Sequence, residues 1–174
     1  RWLEEAPIED DLQARPFRMP VQWVNRPNLD FRGFSGQVAS GVIRPGDRVK
    51  VLPSGRESTV DRIVAFRSDL PQAVAGHSVT LTLKDEIDVS RGDVLSVAAS
   101  PPEVADQFEA TIVWFDDEAL LPGRPYLMKL GARTVSAQVA EPKYKVNVNT
   151  LEKLAATRLE LNEIGVCNLS LAAP

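Results

Sequence analysis

Groups that serve nucleophiles and soft metals are almost missing from these 174 residues, which hold one cysteine, Cys167, and one histidine, His77. A single cysteine allows no internal disulfide, and one Cys plus one His cannot fill a four-ligand zinc site. A Ser/His/Asp relay would have to run through His77, and no nucleophile-elbow sequence is present to receive it. Aromatic residues are 6% of the chain. No run approaches the roughly 20 apolar residues that cross a bilayer, and Arg1 to Asp11 is acidic where a secretory leader would be basic and then apolar. These absences predict a chain of a reducing, cytoplasmic compartment, with no membrane association. An excess of one charge is also lacking. Residues 1–100 carry 13 basic and 14 acidic side chains and residues 101–174 carry 7 and 10, so neither half (−1 and −3) offers the cationic surplus that neutralises a phosphate backbone.

What is abundant is strand-forming residue types punctuated by turns. Val and Ile number 20 and 6 against 18 Leu, with 13 Pro and 10 Gly, a balance that favours strands over helices. Phe17, Met19, Val21 and Trp23 alternate with Arg18, Pro20 and Gln22, and Val79, Leu81 and Leu83 alternate with Ser78, Thr80 and Thr82. Those seven apolar residues are the predicted core of a first barrel. Val60, Arg62, Val64 and Phe66 alternate with Thr59, Asp61, Ile63 and Ala65, predicting a strand apolar on nearly both sides. Arg44-Pro45-Gly46-Asp47 and Leu121-Pro122-Gly123-Arg124 have the Pro-Gly centre of a type II turn, and Leu52-Pro53-Ser54-Gly55 suits a type I turn. Short strands at this spacing predict antiparallel barrels.

A linker is expected at residues 99–104, where Ser100-Pro101-Pro102 interrupts the alternation. It divides a first barrel, residues 15–98, from a second, residues 105–174, in which Phe108, Ala110, Ile112 and Trp114 face inward and Leu159 and Leu161 alternate with Glu160 and Asn162. A short helical turn is predicted at 149–157, capped by Asn149 with Glu152 three residues on. Residues 1–14 read as the end of a preceding helix or a linker. The strand Val166 to Leu171 stops close to the chain's end, so the second barrel is expected to lack its closing strands.

Several motifs reduce to local structure. The acidic runs Asp85-Glu86-Ile87-Asp88 and Asp116-Asp117-Glu118 lack the ligand spacing of a calcium loop, and no metal site is expected. Arg91-Gly92-Asp93 reads as a turn into a strand, Cys167 as a buried thiol and His77 as a turn residue. Asp30-Phe31-Arg32-Gly33 satisfies the Asp-x-x-Gly spacing of a GTPase γ-phosphate sensor, but no Gly-x-x-x-x-Gly-Lys-Ser/Thr loop is present to cradle phosphates. No catalytic or cofactor-binding residue is assigned.

The run Val38 to Gly55, with Gly41, Pro45-Gly46 and Gly55, resembles the second, β-barrel domain of translation-factor-type GTPases. Pro20-Val21-Gln22-Trp23-Val24-Asn25-Arg26-Pro27-Asn28-Leu29-Asp30-Phe31-Arg32-Gly33-Phe34-Ser35-Gly36 narrows the match. It resembles the large, GTP-hydrolysing subunit of bacterial ATP sulfurylase, also found fused to adenylylsulfate kinase and in nodulation forms. Ile87 to Leu95, Val146 to Leu151 and Leu161 to Gly165 extend that resemblance. It implies an all-β pair of barrels of the elongation factor Tu domain II and III type, the second incomplete. It further implies the non-catalytic part of an enzyme complex in which a small subunit joins sulfate to ATP while the large subunit hydrolyses GTP. GTP and Mg²⁺ would belong to a GTPase domain outside these residues, and the expected partners are that domain and the small catalytic subunit. Asn28, Asp30, Phe31 and Arg32 are the candidate interface. Phe31 is a bulky apolar residue in a turn-rich segment with no evident place in a small core, and Asp30 and Arg32 could make charge-assisted hydrogen bonds to a partner. The competing reading is a barrel pair that contacts tRNA or ribosomal RNA; against it, Arg26, Arg32, Arg44, Arg48, Lys50, Arg56, Arg62 and Arg67 are interspersed with acids and turns.

Overall fold

The computed structural model describes residues 11–28, 30–66 and 68–174. The chain forms two compact units, Arg1–Glu103 with Gly131–Arg133, and Val104–Leu130 with Thr134–Pro174. No helix occurs among the described residues. Of residues 1–14, read as the end of a helix or a linker, 1–10 lie outside the described residues, and 11–14 form a turn in which Ala14 N donates to the Asp11 carbonyl at 3.0 Å.

Among the described residues the first unit has nine strands: β1 (Arg18–Pro20), β2 (Trp23–Asn25), β3 (Gly33–Gln37), β4 (Val42–Ile43), β5 (Arg48–Leu52), β6 (Glu57–Val64), β7 (Ala73–Val74), β8 (Ser78–Leu83) and β9 (Val94–Val97). Seven form one sheet in the order β1-β9-β5-β6-β8-β3-β2, and β4 pairs with β7. The pairings are antiparallel. β1 and β2 behave as one bent strand that changes partner. Val21 N still donates to the Asp93 carbonyl beside β9, while Gln22 N donates to Ser35 of β3, each at 2.8 Å. With the Arg18↔Ser40 bridge, this strand joins the sheet's two ends into a barrel. Gly36 permits the crossing, because a Cβ there would sit 2.3 Å from the Pro20 carbonyl oxygen.

Partner change also explains where simple alternation fails. Phe17, Met19, Val21, Val79 and Leu81 are buried, and Leu83 packs half-buried against them. Trp23, expected in the core, is 60% exposed, since the bend between Val21 and Trp23 turns the next side chain outward. A bulge in β6 between Val60 and Arg62 has a similar effect. Val60 points inward, the parity shifts, and Ile63 is the next core residue, whereas Phe66 is fully exposed. Thr82, expected to face water, is buried opposite that bulge, where its Oγ1 accepts the Arg62 backbone N–H at 3.1 Å. It satisfies the amide that a bulge removes from the ladder.

Gly46 and Gly123 have φ of 93° and 76°, in the turns where Pro-Gly placed them. The type I turn expected at Leu52 to Gly55 is replaced by a wider reversal. Gly55 N donates to the Val51 carbonyl at 2.7 Å with φ 75°.

The second unit has β10 (Gln107–Val113), β11 (Pro125–Leu130), β12 (Arg133–Val139), β13 (Tyr144–Val146), β14 (Lys153–Leu154) and β15 (Ile164–Leu171). β15 is central. One edge pairs with β10 from Gln107↔Ser170 to Val113↔Ile164, and the other pairs with β12 and then β13. Leu120, Val139, Leu159, Cys167 and Leu169 form the core, against which Phe108, Ala110, Ile112 and Trp114 pack half-buried. Burial pushes the Cys167 thiol pKa up, as expected for an inert structural cysteine. Leu159 and Leu161 are not in a strand; Leu159 is buried and Leu161 exposed. Instead of a helical turn at 149–157, Asn147 organises a loop into β14. Its Oδ1 accepts from Asn149 N at 2.9 Å, Leu151 N donates to its carbonyl, and Leu151 adopts φ 60°. Asn147 thus spends its hydrogen bonds on a side-chain turn that competes with helix formation.

Candidate functional site

The candidate residues lie in the loop between β2 and β3. Pro27 supplies no N–H donor, and the Asn28 side chain closes the turn by accepting from Asp30 N at 3.1 Å. Asn28 and Asp30 are exposed, while Phe31 and Arg32 are half-buried. Their burial is against their own barrel. A Cβ on Gly33 would lie 2.8 Å from Phe31 Cε1 and 2.4 Å from Thr80 Cγ2, so the Phe31 ring occupies the notch that Gly33 leaves. Phe31 therefore has a packing place in the first unit, which its turn-rich neighbourhood did not suggest. The Arg32 guanidinium carbon stands 5.5 Å from the centroid of the Phe34 ring, itself buried, and Arg32 Nη2 is 3.9 Å from Asp88 Oδ1.

Asp30, Phe31 and Arg32, but not Asn28, border a cleft of about 250 Å³ whose far wall comes from Asp61 and Arg62 of β6, Thr82 of β8, and Lys84, Asp85 and Glu86 just beyond it. The sequence contained no sign of those wall residues, because only the register β3↔β8↔β6 brings Thr82 opposite both Gly33 and Arg62. Arg62 is committed there. Its Nε and Nη2 donate to Asp69 at 2.6 and 3.1 Å, which pulls the Asp69 pKa down and raises that of Arg62. Elsewhere on the unit Glu57 accepts from Arg48 at 2.9 Å and Lys50 at 3.0 Å, and Lys50 foremost holds its carboxyl below the usual range. Arg67 lies outside the described residues.

The remaining flagged residues do structural work. His77 is exposed, and its backbone bridges Val38 and Val74. Asp93 closes the Arg91-Gly92-Asp93 turn by accepting from Ser90 N at 2.8 Å. In the acidic runs, Asp85 accepts from the Ser58 hydroxyl at 2.7 Å and Asp116 from Glu118 N at 3.0 Å. Among the described residues no group of three His, Cys, Asp or Glu could hold a metal, and no helix is long and apolar enough to cross a membrane.

Comparison with known proteins follows the same division. Residues 34–96 match the family "Elongation factor Tu domain 2", and residues 107–174 match "GTP-eEF1A C-terminal domain-like". Among solved structures, Sup35 complexed with GDP matches 99% of the chain and 43% of its own length with a TM-score of 0.85 at 19% identity. The elongation factor SelB of Methanococcus maripaludis, in its apo form, matches 98% and 38% with a TM-score of 0.74 at 23% identity. The fold is therefore that of the paired β domains of translation-factor GTPases. In sequence the chain is similar to large sulfate adenylyltransferase subunits and NodQ enzymes. It is 52% identical to sulfate adenylyltransferase subunit 1 of Aeromonas hydrophila over 172 residues, 99% of this chain and 36% of that protein. It is 54% identical to the bifunctional enzyme NodQ of Rhizobium sp. (strain N33), again over 99% of the chain and 27% of the relative. With the bifunctional enzyme CysN/CysC of Xylella fastidiosa the identity is 56%, over 99% and 28%. The chain thus spans about a third of the length of these relatives.

Proposed function

We propose that these residues form the non-catalytic barrel region of the GTP-hydrolysing subunit of a cytoplasmic sulfate adenylyltransferase, which makes adenylyl sulfate and pyrophosphate from ATP and sulfate. The observation that carries the reading is identity above 50% along almost the whole chain to sulfate adenylyltransferase subunit 1 and its fused forms. GTP and Mg²⁺ would be held by a GTPase domain outside these residues. The barrels would serve as the platform on which that domain and the small catalytic subunit move, with Asn28, Asp30, Phe31 and Arg32 at an interface. The boundaries we assign are a first barrel at 15–98, a linker at 99–104 and a second barrel at 105–174.

A barrel pair bound to RNA is disfavoured by the ion pairs at Arg48, Lys50, Arg56 and Arg62. The carboxylates beside those cations offset the positive field that a phosphate backbone requires. The test uses the complete large subunit with its small partner. Phe31→Ala with Arg32→Ala removes two half-buried groups, so a cost of about 1 kcal/mol and a melting shift of a few degrees are expected. GTP-stimulated adenylyl sulfate formation should fall well beyond what that shift explains. Full stimulated activity in the double variant would return the loop to a purely structural role.

A further inference from the structure

β10 has one partnered edge. Among the described residues it pairs with β15 alone, in an unbroken antiparallel register. The Asp106 carbonyl accepts from Leu171 N at 2.7 Å and Trp114 N donates to the Glu163 carbonyl at 3.0 Å, and bonded positions alternate along such a ladder. Phe108, Ala110 and Ile112 therefore bond toward β15, while Gln107, Glu109, Thr111 and Val113 direct their N–H and C=O groups to the open side. The side chains of those four are exposed, and Phe108, Ala110, Ile112 and Trp114 are only half-buried on the inner face. Natural sheet edges are blunted by proline, lysine, a bulge or shortness. β11 begins at Pro125 and carries Lys129, and β14 is only Lys153–Leu154; β10 has none of these devices over its 7 residues. Its one charge, Glu109, is matched by Lys143 of its own unit.

We infer that this edge pairs with the same edge of a second copy of the chain, which extends the sheet through a two-fold axis at Ala110. An open edge asks its occupant for another open edge of matching pattern, and β10 is its own complement. In that register Gln107 lies opposite the second copy's Val113 and Glu109 opposite its Thr111, each outward position exchanging both of its hydrogen bonds. On the inner face Phe108 meets Ile112 and Ala110 meets Ala110, so the apolar row continues from one copy into the next. An axis at Glu109 would set two carboxylates directly opposite each other, which is destabilising. An axis at Thr111 would leave Gln107 unbonded. Charge and bonding thus select one register and a closed pair of copies.

Sedimentation velocity on the 174-residue chain reads the association. A single strand pair lies at the small end of interface sizes, below roughly 1,200 Å², so a dimer with a Kd between about 1 μM and 1 mM is expected. Thr111→Pro removes an outward N–H and leaves the β10–β15 ladder its bonds; the Kd should rise about tenfold or more. Thr111→Glu places a carboxylate opposite Glu109 at both symmetric positions and should weaken the dimer, whereas Thr111→Lys places an ammonium there and should tighten it severalfold. These two variants keep the inference testable if the proline variant folds poorly. Amide exchange at Glu109 and Thr111 should slow as concentration rises. A chain still monomeric at about 1 mM, a dimer indifferent to Thr111→Pro, or Thr111→Glu and Thr111→Lys shifting the Kd in the same direction would each overturn the inference. Protection of the Glu109 and Thr111 amides in the dilute monomer would overturn it as well, by showing that another segment already holds the edge.

Discussion

Replacing Gly36 by alanine tests the account of barrel closure. Gly36 lies in β3 beneath the bent strand, and its φ is not positive, so alanine brings no backbone strain. By chain entropy alone the exchange would stabilise the protein by about 0.4–1 kcal/mol. The added methyl, however, would stand 2.3 Å from the Pro20 carbonyl oxygen and 3.2 Å from Met19 Cγ. The first neighbour is backbone, and Met19 is fully buried, so neither yields by a rotamer change. Overpacking of this kind costs about 1–3 kcal/mol and occasionally more, and a backbone obstacle places Gly36→Ala near 3. Gly46→Ala is the control. It has nothing within 4 Å but φ 93°, so it carries the left-handed penalty of about 1–2 kcal/mol alone. Urea unfolding followed by far-ultraviolet circular dichroism measures both. With slopes of about 1–3 kcal/mol/M, Gly36→Ala should lower the midpoint by at least 1 M, and amide exchange at Gln22 and Ala39, which bond across the closure, should accelerate first. A midpoint at or above wild type, or a smaller loss than in Gly46→Ala, would refute the crossing as the reason for glycine.

Two further substitutions separate the two faces of β6 and its following turn. Ile63→Ala empties a fully buried site and should cost about 2–5 kcal/mol, whereas Phe66→Ala at a fully exposed site should stay within about 0.5; comparable costs in thermal unfolding would deny the bulge. In the second unit, the Glu163 carboxylate accepts from the Glu160 backbone N–H at 2.9 Å and from the Lys145 ammonium. Those contacts, the backbone one first, hold its pKa below the ordinary glutamate range. Because the folded value is the lower one, its stabilisation is present above the unfolded pKa of about 4.3 and is lost as pH falls through the folded value. Urea midpoints between pH 7 and pH 3 should therefore fall less steeply in Glu163→Gln, and parallel profiles would contradict the assignment.

How far the sequence discloses this fold depends on whether a rule stays local. Alternation places Phe17, Met19, Val21, Val79 and Leu81 correctly because each set lies in one uninterrupted pairing. It misplaces Trp23 and Phe66 because a change of partner and a bulge are settled by strands distant in sequence. Pro45-Gly46 and Pro122-Gly123 carry their geometry in two adjacent residues. Asn149 misled because Asn147, two positions earlier, competes for the same amides. The loop from Asn28 to Arg32 could be singled out, but the cleft beside it could not, since Arg62 and Lys84 arrive there through the β3–β8–β6 register.

The position of β15 governs the order of events when the chain is made. β10 takes all its pairing from it, β12 and β13 one side of theirs, and residue 107 waits for residue 170. On a ribosome, which releases the chain from its amino end, β12 can meet β11 and β13 can meet β14 as they emerge, but β10 can find no ladder until Leu171 has emerged. All the strands of the first unit, β1 to β9, precede the second unit in sequence and can pair while the second is still being threaded out. During that interval Phe108, Ile112 and Trp114 remain uncovered, with only long-range contacts to rescue them. Of the two units, the second is consequently the one whose apolar strand face stays uncovered longer during synthesis.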